Sequence, residues 1–600
     1  MRTEDAGRYL RTVSRLRPGQ VWHRVRLTLR RAAWARMTQR VDARYRRRAA
    51  GWDRLRWDAP GLATVAALRA ARRDPESALT AARDALAGRF TFLGESRELG
   101  TPPSWDRPGL ADALLWKTHL HEFPYALDLA LASRATGDAN FRAGLFALLR
   151  SWSAAQPIGR AGSAVVAWNE RAVATRLMHW CVAGALIGVE GPDAEWLARE
   201  VARHALFLRD NLALDLLANH LFRDVIALAF ADALLPGICP DAQRLVEREV
   251  REQILPDGGH VERCPMYHAV CLQDLVELRA LLAERAPAWL VDAVQRAGGF
   301  LESVLLGDGD IALLGDGWRG EVDVAGLLEQ ARASGPLRVP REPERHSGLV
   351  RLERGTLRLV ARAGPHGPDY QLGHAHADLL SFEASNAGER VVVDTGTGAY
   401  QDGPMRRRLR STAAHNTIAL DGAELLEAWS SFRTGRRGRA HARARGETPR
   451  FTWLWAWHDG YRWLSGSPQV HRLFLVSADD LWVLDALLGR GVHHIASSMH
   501  LHPDLPSAAA CIVPLAGSAT RRSAPYHERF NETREMPELV VEEQAALPWA
   551  GGWWIGLAGG PEPAFSLRIH GGRIELRAQG RSPFALDWDV AGQPGSVSIR

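Results

Sequence analysis

The feature that most constrains this chain is a change of hydrophobic period partway along it. From about residue 60 to 335, Ala- and Leu-rich stretches are punctuated by short breaks such as Gly137-Asp138, Gly191-Pro192-Asp193 and Pro236-Gly237. Within residues 214–228, apolar positions fall at 214, 217, 221, 225 and 228, the three-to-four spacing of a helix, and their neighbours are apolar too. Beyond residues 336–343, short runs such as Arg390-Val391-Val392-Val393 and Leu481-Trp482-Val483-Leu484 read as strands. A long helical half followed by a long strand half implies separate layered domains, and 600 residues are too many for one core. The organisation expected is a basic helical arm over 1–55, a helical domain over 56–338 and a β domain over 339–600. Many consecutive helices without a fixed repeat suit a helical toroid better than a regular solenoid.

Charge is concentrated at the start. Residues 1–50 hold 15 Arg against three acids (Glu4, Asp5, Asp42), while the whole chain is only +6, so the body is not a polycation. No basic face on a recognisable nucleic-acid fold is visible, and nucleic acid is not an expected partner. In the arm, Leu16, Val21, Val25 and Leu29 sit among the arginines. Two readings stand: helices packed on the main body, or peripheral contact with acidic lipid or an anionic polymer. Arginines interrupt residues 1–30 every few positions, leaving no secretory h-region, which on sequence grounds points to the cytoplasm. No uncharged apolar run is long enough to span a bilayer. Five scattered cysteines, with no CxxC, point to buried thiols rather than a disulfide framework. The 22 Trp outnumber the 16 Phe and 8 Tyr; they suit either sugar stacking or a core.

Three polar islands interrupt structure that should be apolar. Asn219-His220 falls inside the most apolar helical stretch, where it is either a satisfied core pair or a functional one. Residues 255–268 combine a Gly turn, Pro265 and a cluster containing His260, Glu262, Tyr267 and His268 just before another helix. They make either a capped turn or a phenol and imidazole sharing a cavity. In the β half, Gly373-His374-Ala375-His376-Ala377-Asp378 is followed by Asp394 and by His415-Asn416. Histidines at i and i+2 on an extended strand point the same way, and two His with an Asp are an ordinary zinc shell.

Together these motifs resemble the heparinase II/III-like polysaccharide lyases, over roughly residues 8 to 500. Its most specific parts are residues 373–378 and 410–417; Trp116-Lys117-Thr118-His119-Leu120-His121 and Trp168-Asn169-Glu170-Arg171 also look like pieces of the family's toroid. The resemblance implies an incomplete (α/α) toroid followed by an antiparallel β-sandwich, with β-elimination at a uronic acid of an acidic polysaccharide in the cleft between them. By resemblance, Tyr267 serves as base, acid or both. His220 is the partner base or helps neutralise the uronate carboxylate, Asn219 hydrogen-bonds that carboxylate, and His374 completes the site. Asn169, Arg171, Glu262, His268 and Asn416 are expected to bind substrate. His376, Asp394 and His415 match the family's zinc positions, where the ion is structural. Two departures stand out: Cys264 replaces a more usual Ser, and the leader typical of secreted lyases is not visible. The basic arm instead resembles the family's branch found near bacterial exopolysaccharide genes, whose substrate is less defined and whose place is the periplasm or envelope. Competing readings are a non-catalytic glycan-binding or assembly protein, a glycoside hydrolase using Glu262, Asp308, Asp310 or Asp316, and a zinc hydrolase with Asp378 as base. Asp308, Asp310 and Asp316 read as turn residues.

Overall fold

The computed structural model describes residues 3–106, 114–506, 509–557, 562–580, 583–592 and 596–600. The sequence breaks become helix ends with ordinary cap chemistry. The helix Tyr125–Thr136 stops at Gly137 in the left-handed conformation, and Asp138 then caps Ala139–Ala155 by accepting the Asn140 N–H. Helices alternate between an inner and an outer ring. Pro75–Leu86, Tyr125–Thr136, Glu170–Leu186, Ala218–Leu234, Pro265–Leu282 and Val324–Arg332 pack in succession, and outer helices such as Gly191–Asp210 and Ala288–Ser303 pack behind them. This is an incomplete (α/α) toroid. A hairpin, Arg89–Phe92 with Glu95–Glu98, is inserted in it.

From Leu349 onward the named strands pair antiparallel. A six-stranded sheet lies at the centre of the β half. One face packs on the sheet built from Leu349–Arg354, Leu357–Arg362, Phe382–Asn386 and Glu389–Val392, through side chains such as Leu359, Phe382 and Phe474. The other face packs on the C-terminal sheet through Trp455, Trp482 and Trp588. Twelve of the 22 Trp are buried, and seven of these, Trp152, Trp168, Trp180, Trp455, Trp482, Trp553 and Trp588, are fully buried, so much of the tryptophan is core. Four cysteines are buried as expected, but Cys511 is exposed. No described helix is long and apolar enough to cross a membrane.

The arm packs on both halves. Thr3–Val13 lies against the Leu426–Ser430/Arg433–Arg437 hairpin, with Arg11 paired to Glu427 at 2.5 Å. Gln20, on the helix Pro18–Ala35, donates to carbonyls of Leu216 in the toroid and Tyr370 in the β half. Thr38–Ala49 packs on Gly191–Asp210, where Asp42 pairs with the buried Arg203.

Candidate active site

The helix carrying Asn219 begins later than its sequence period suggests. Residues 214–217 lie outside it; Leu217 and Ala218 adopt positive φ angles of 63° and 49°, and Ala218–Leu234 follows. Asn219-His220 therefore sits in the first turn, not mid-helix. Non-glycine residues in that region are strained and are held there by their surroundings. Leu217 offers no side-chain cap. The orphan N–H of Asn219 instead donates to Glu262 Oε1 at 2.9 Å, so a carboxylate from another segment caps the helix, where its charge suits the helix dipole. Asn219 Oδ1 and Nδ2 are buried with no protein partner.

Glu262 and Tyr267 are delivered by the tight loop before Pro265–Leu282. Gly258 has φ +88° and lies so close to Arg296 that a Cβ would fall 2.2 Å from its carbonyl oxygen. Only glycine fits there. Tyr267, in the first turn, is buried, and its hydroxyl lies 2.9 Å from that of Tyr400. Its ring stacks on His374 at 3.8 Å between centroids. His374 therefore reaches from the β half onto the Tyr267 ring.

The β side is organised by Asp316. His374 Nδ1 and His376 Nε2 each lie 2.8 Å from one of its oxygens, and Arg406 pairs with both. The two histidines thus share a direction, as expected, although they lie in a loop rather than a strand. Burial raises the cost of the Asp316 charge, but Arg406 and the imidazoles hold its carboxyl well below the usual range. Reading Asp316 as a turn residue missed this role: Gly315-Asp316-Gly317 does turn the chain, and its carboxylate is the hub. Arg406, Tyr400, Trp318 and Phe432 were also not anticipated. Tyr400 packs at 5.6 Å from Trp318 and 5.2 Å from Phe432, and Arg406 lies over its ring at 4.9 Å. No local motif marks these residues; they meet only through the fold.

Protonation states follow from burial. His220 is pushed down to about 3 by burial and by the charges of Arg171 and His374, so its imidazole is neutral at pH 7. Burial raises the Tyr267 phenol well above its usual value, against the pull of Arg171 and the Tyr400 hydrogen bond. Glu262 is raised by burial, opposed by His374 and the Asn219 N–H. Its Oε2 lacks a hydrogen bond, with His374 Nε2 at 3.9 Å. Burial disfavours charge on Arg171, but Glu122 at 3.6 Å together with Tyr267, Glu321 and Asp274 outweighs it, and the guanidinium stays charged.

Asn219, Glu262, Tyr267 and His374 are thus in direct or shared contact, with His220 and Arg171 within their electrostatic reach. Other expected residues lie elsewhere. His268 is turned into the helical core, with Nδ1 accepting from the His260 N–H and Nε2 2.9 Å from the Ala297 carbonyl. Asn416 is buried in the β half, donating to the Phe382 and Val393 carbonyls. Asn169 caps the helix that begins at Glu170 and accepts from the Arg171 N–H. Of the zinc set, His415 Nδ1 lies 2.8 Å from Asp394, and the His376 and His415 rings are 5.3 Å apart. Their remaining nitrogens, His376 Nδ1 and His415 Nε2, are buried without partners. Among the described residues no three His, Cys, Asp or Glu side chains are arranged to hold a metal ion. Asp378 is committed to Arg362 at 2.9 Å.

Comparison with known proteins agrees with this architecture. Residues 100–331 match the Heparinase II/III N-terminus and residues 339–588 match Heparinase II/III-like, C-terminal. FtsZ-localized protein C of Caulobacter vibrioides is 26% identical over 410 residues, which are 65% of this chain and 66% of that protein, just under two thirds of its length. Among solved structures, Heparinase III superposes with a TM-score of 0.69 at 15% identity, covering 86% of this chain and 91% of that one. A heparan sulfate lyase HepC mutant from Pedobacter heparinus gives 0.57 at 17% identity, covering 88% and 94%. At these identities the superpositions establish the fold, a toroid followed by an antiparallel β-sandwich. With both characteristic domains matched in order along most of its length, the chain belongs to the heparinase II/III-like family.

Proposed function

We propose that this chain is a polysaccharide lyase cleaving a uronic-acid-containing polymer by β-elimination. The observation that carries the reading is the Asn219 amide, buried with both polar atoms unpartnered beside a neutral imidazole and a protonated phenol. Buried polar atoms without partners are uncommon and suit a ligand that supplies them. The C5 proton of a uronate is too weak an acid to remove until the adjoining carboxylate is neutralised. Asn219 and Arg171 supply the donor and the charge for that, stabilising the enolate-like intermediate. His220 takes the C5 proton, the C4–O4 bond breaks as the C4–C5 double bond forms, and Tyr267 gives its proton to the departing O4. Tyr400 donates to the resulting phenolate, and proton return from His220 through solvent resets the pair. His374, fixed by Asp316, holds the Tyr267 ring.

A retaining or inverting hydrolase needs two carboxylates flanking the bond. Asp308 is taken by Arg390 and Arg319, Asp310 by Arg319 and Asp316 by Arg406, which leaves Glu262 alone with a free oxygen. Absorbance of the unsaturated product, followed while wild type and Tyr267→Phe act on a panel of uronate polymers, tests the proposal. A rise with wild type that falls about 10³-fold or more in the variant is expected. New reducing ends without absorbance would mean hydrolysis. Binding without turnover of any polymer would mean a glycan-binding or assembly protein.

Zinc at His376, Asp394 and His415 belongs to the same proposal. Two imidazoles that each keep one nitrogen free of protein bonds, with the Asp394 carboxylate held on the other nitrogen of His415, are donors of the type that ion takes. Bound there, it would fix the loop presenting His374 rather than activate water. Elemental analysis of purified protein should find about one zinc per chain, lost in His415→Ala; its absence from both would remove the ion from the proposal.

A further inference from the structure

The first two helices present the wrong side to the body of the protein. In Pro18–Ala35 the inward contacts are largely polar: Gln20 donates to backbone carbonyls, Arg24 pairs with Asp215, Arg31 with Glu170, and Arg30 donates to the Asp210 carbonyl, while Trp34 at the far end packs on Tyr45 and Phe207. Leu27 is its one buried apolar side chain. The outward side carries Val21, Trp22, Val25 and Leu29, which are 38, 61, 54 and 67% exposed. Their spacing puts them in one stripe. Thr3–Val13 repeats the arrangement. Arg8 and Arg11 pair with Glu427 and Thr12 donates to the Thr434 carbonyl, while Leu10 and Val13 face outward at 76 and 49% exposed. An amphipathic helix ordinarily turns its apolar stripe to the core. Here polar bonds hold the helices on while the stripes are left to solvent.

The charges around the stripe identify what it meets. Arg26 lies over the Trp22 ring at 5.5 Å. Arg15, Arg26, Arg36, Arg40 and Arg44 form no ion pair among the described residues. No acid interrupts residues 6–41. A second copy meeting this face about a two-fold axis would set arginine against arginine. Tryptophan and leucine in a row, with Arg26 over the tryptophan and further unpaired arginines elsewhere on the arm, match the boundary between acyl chains and acidic headgroups. We propose that Pro18–Ala35, supported by Thr3–Val13, lies in the headgroup layer of an anionic bilayer and holds the protein on that surface.

Co-sedimentation of the full chain with phosphatidylglycerol-containing vesicles, and with phosphatidylcholine alone, tests this. Binding is expected to the anionic vesicles, weakened by salt. It should fall about tenfold or more in Trp22→Glu/Leu29→Glu and in Arg36→Glu/Arg40→Glu. These side chains are exposed or unpaired, so melting temperature should match wild type and certify folding. Wild type left in the supernatant with both vesicle types would overturn the proposal, as would undiminished binding by the Trp22/Leu29 variant. So would a wild-type dimer that this variant makes monomeric, since the stripe would then belong to a second copy.

Discussion

The two walls of the candidate active site are built on opposite principles. On the helical wall, Asn219 has two unpartnered polar atoms and Glu262 one. On the β wall, Asp316 accepts from His374, His376 and Arg406, and Arg406 also donates to the Ser431 carbonyl. The Asn219 amide is left without any protein partner, whereas both oxygens of the Asp316 carboxylate are engaged by neighbouring side chains. The contrast teaches that the frame is tied across both halves of the chain, since Asp316 comes from the helical half while the His374, His376 and Arg406 that it gathers come from the β half. The junction between the walls is a stacked pair of rings, Tyr267 on His374.

Substitutions on each wall should therefore separate stability from activity. The largest effect is expected from Asp316→Asn, which leaves the buried Arg406 charge without its carboxylate. Loss of a buried partner costs about 3–5 kcal/mol, so urea melts should show a large drop in midpoint along with lost turnover. A drop below about 1 kcal/mol would mean that Asp316 is not the hub.

Asn219→Ala is expected to do the reverse. Removing an amide that makes no side-chain bond within the protein should leave the melting midpoint nearly unchanged or raise it. Turnover should fall about 10²-fold or more, the size of a lost oxyanion donor. Equal losses of stability and activity would erase the distinction between the walls.

The smallest effect is in acid. His220 and His260 are both held at about 3, chiefly by burial, against about 6.5 in the unfolded chain. Between those values the unfolded state binds the extra proton. Their contribution to stability is thus complete above about pH 6.5 and is lost as pH falls toward 3. Thermal melts from pH 7 to 4.5 should show a falling midpoint, and His220→Gln should flatten that slope by up to about one proton. An unchanged slope would mean that His220 does not need to stay neutral.

Much was legible in sequence where the signal is local. The change from helical spacing to alternation marks the two halves, because side-chain period is set by backbone geometry. Tyr267 just after a Pro-led helix start, and the His374/His376 pair, are short-range patterns, and the fold brings Tyr267 and His374 into contact. Position within an element was less legible. Apolar spacing carried the helix back to residue 214, whereas positive φ at Leu217 and Ala218 delays it and puts Asn219-His220 at the first turn. Periodicity reports which side is buried but not where strain starts a helix. The apolar residues of the arm illustrate the same gap, since their spacing does not say whether a stripe faces inward or outward.

By itself, the sequence determined the division into a helical and a strand half, the family and several of the side chains that meet in the candidate site, because these rest on periodicity and contiguous motifs. Only the tertiary structure decided the rest. It made Asp316 a hub instead of a turn residue, joined Tyr400 to Tyr267 across the cleft, capped the Asn219 helix with Glu262, and turned His268 and Asn416 into the interior. The reason is physical. Each outcome is a hydrogen bond or burial between residues far apart in the chain, and such pairings are fixed by how the elements pack.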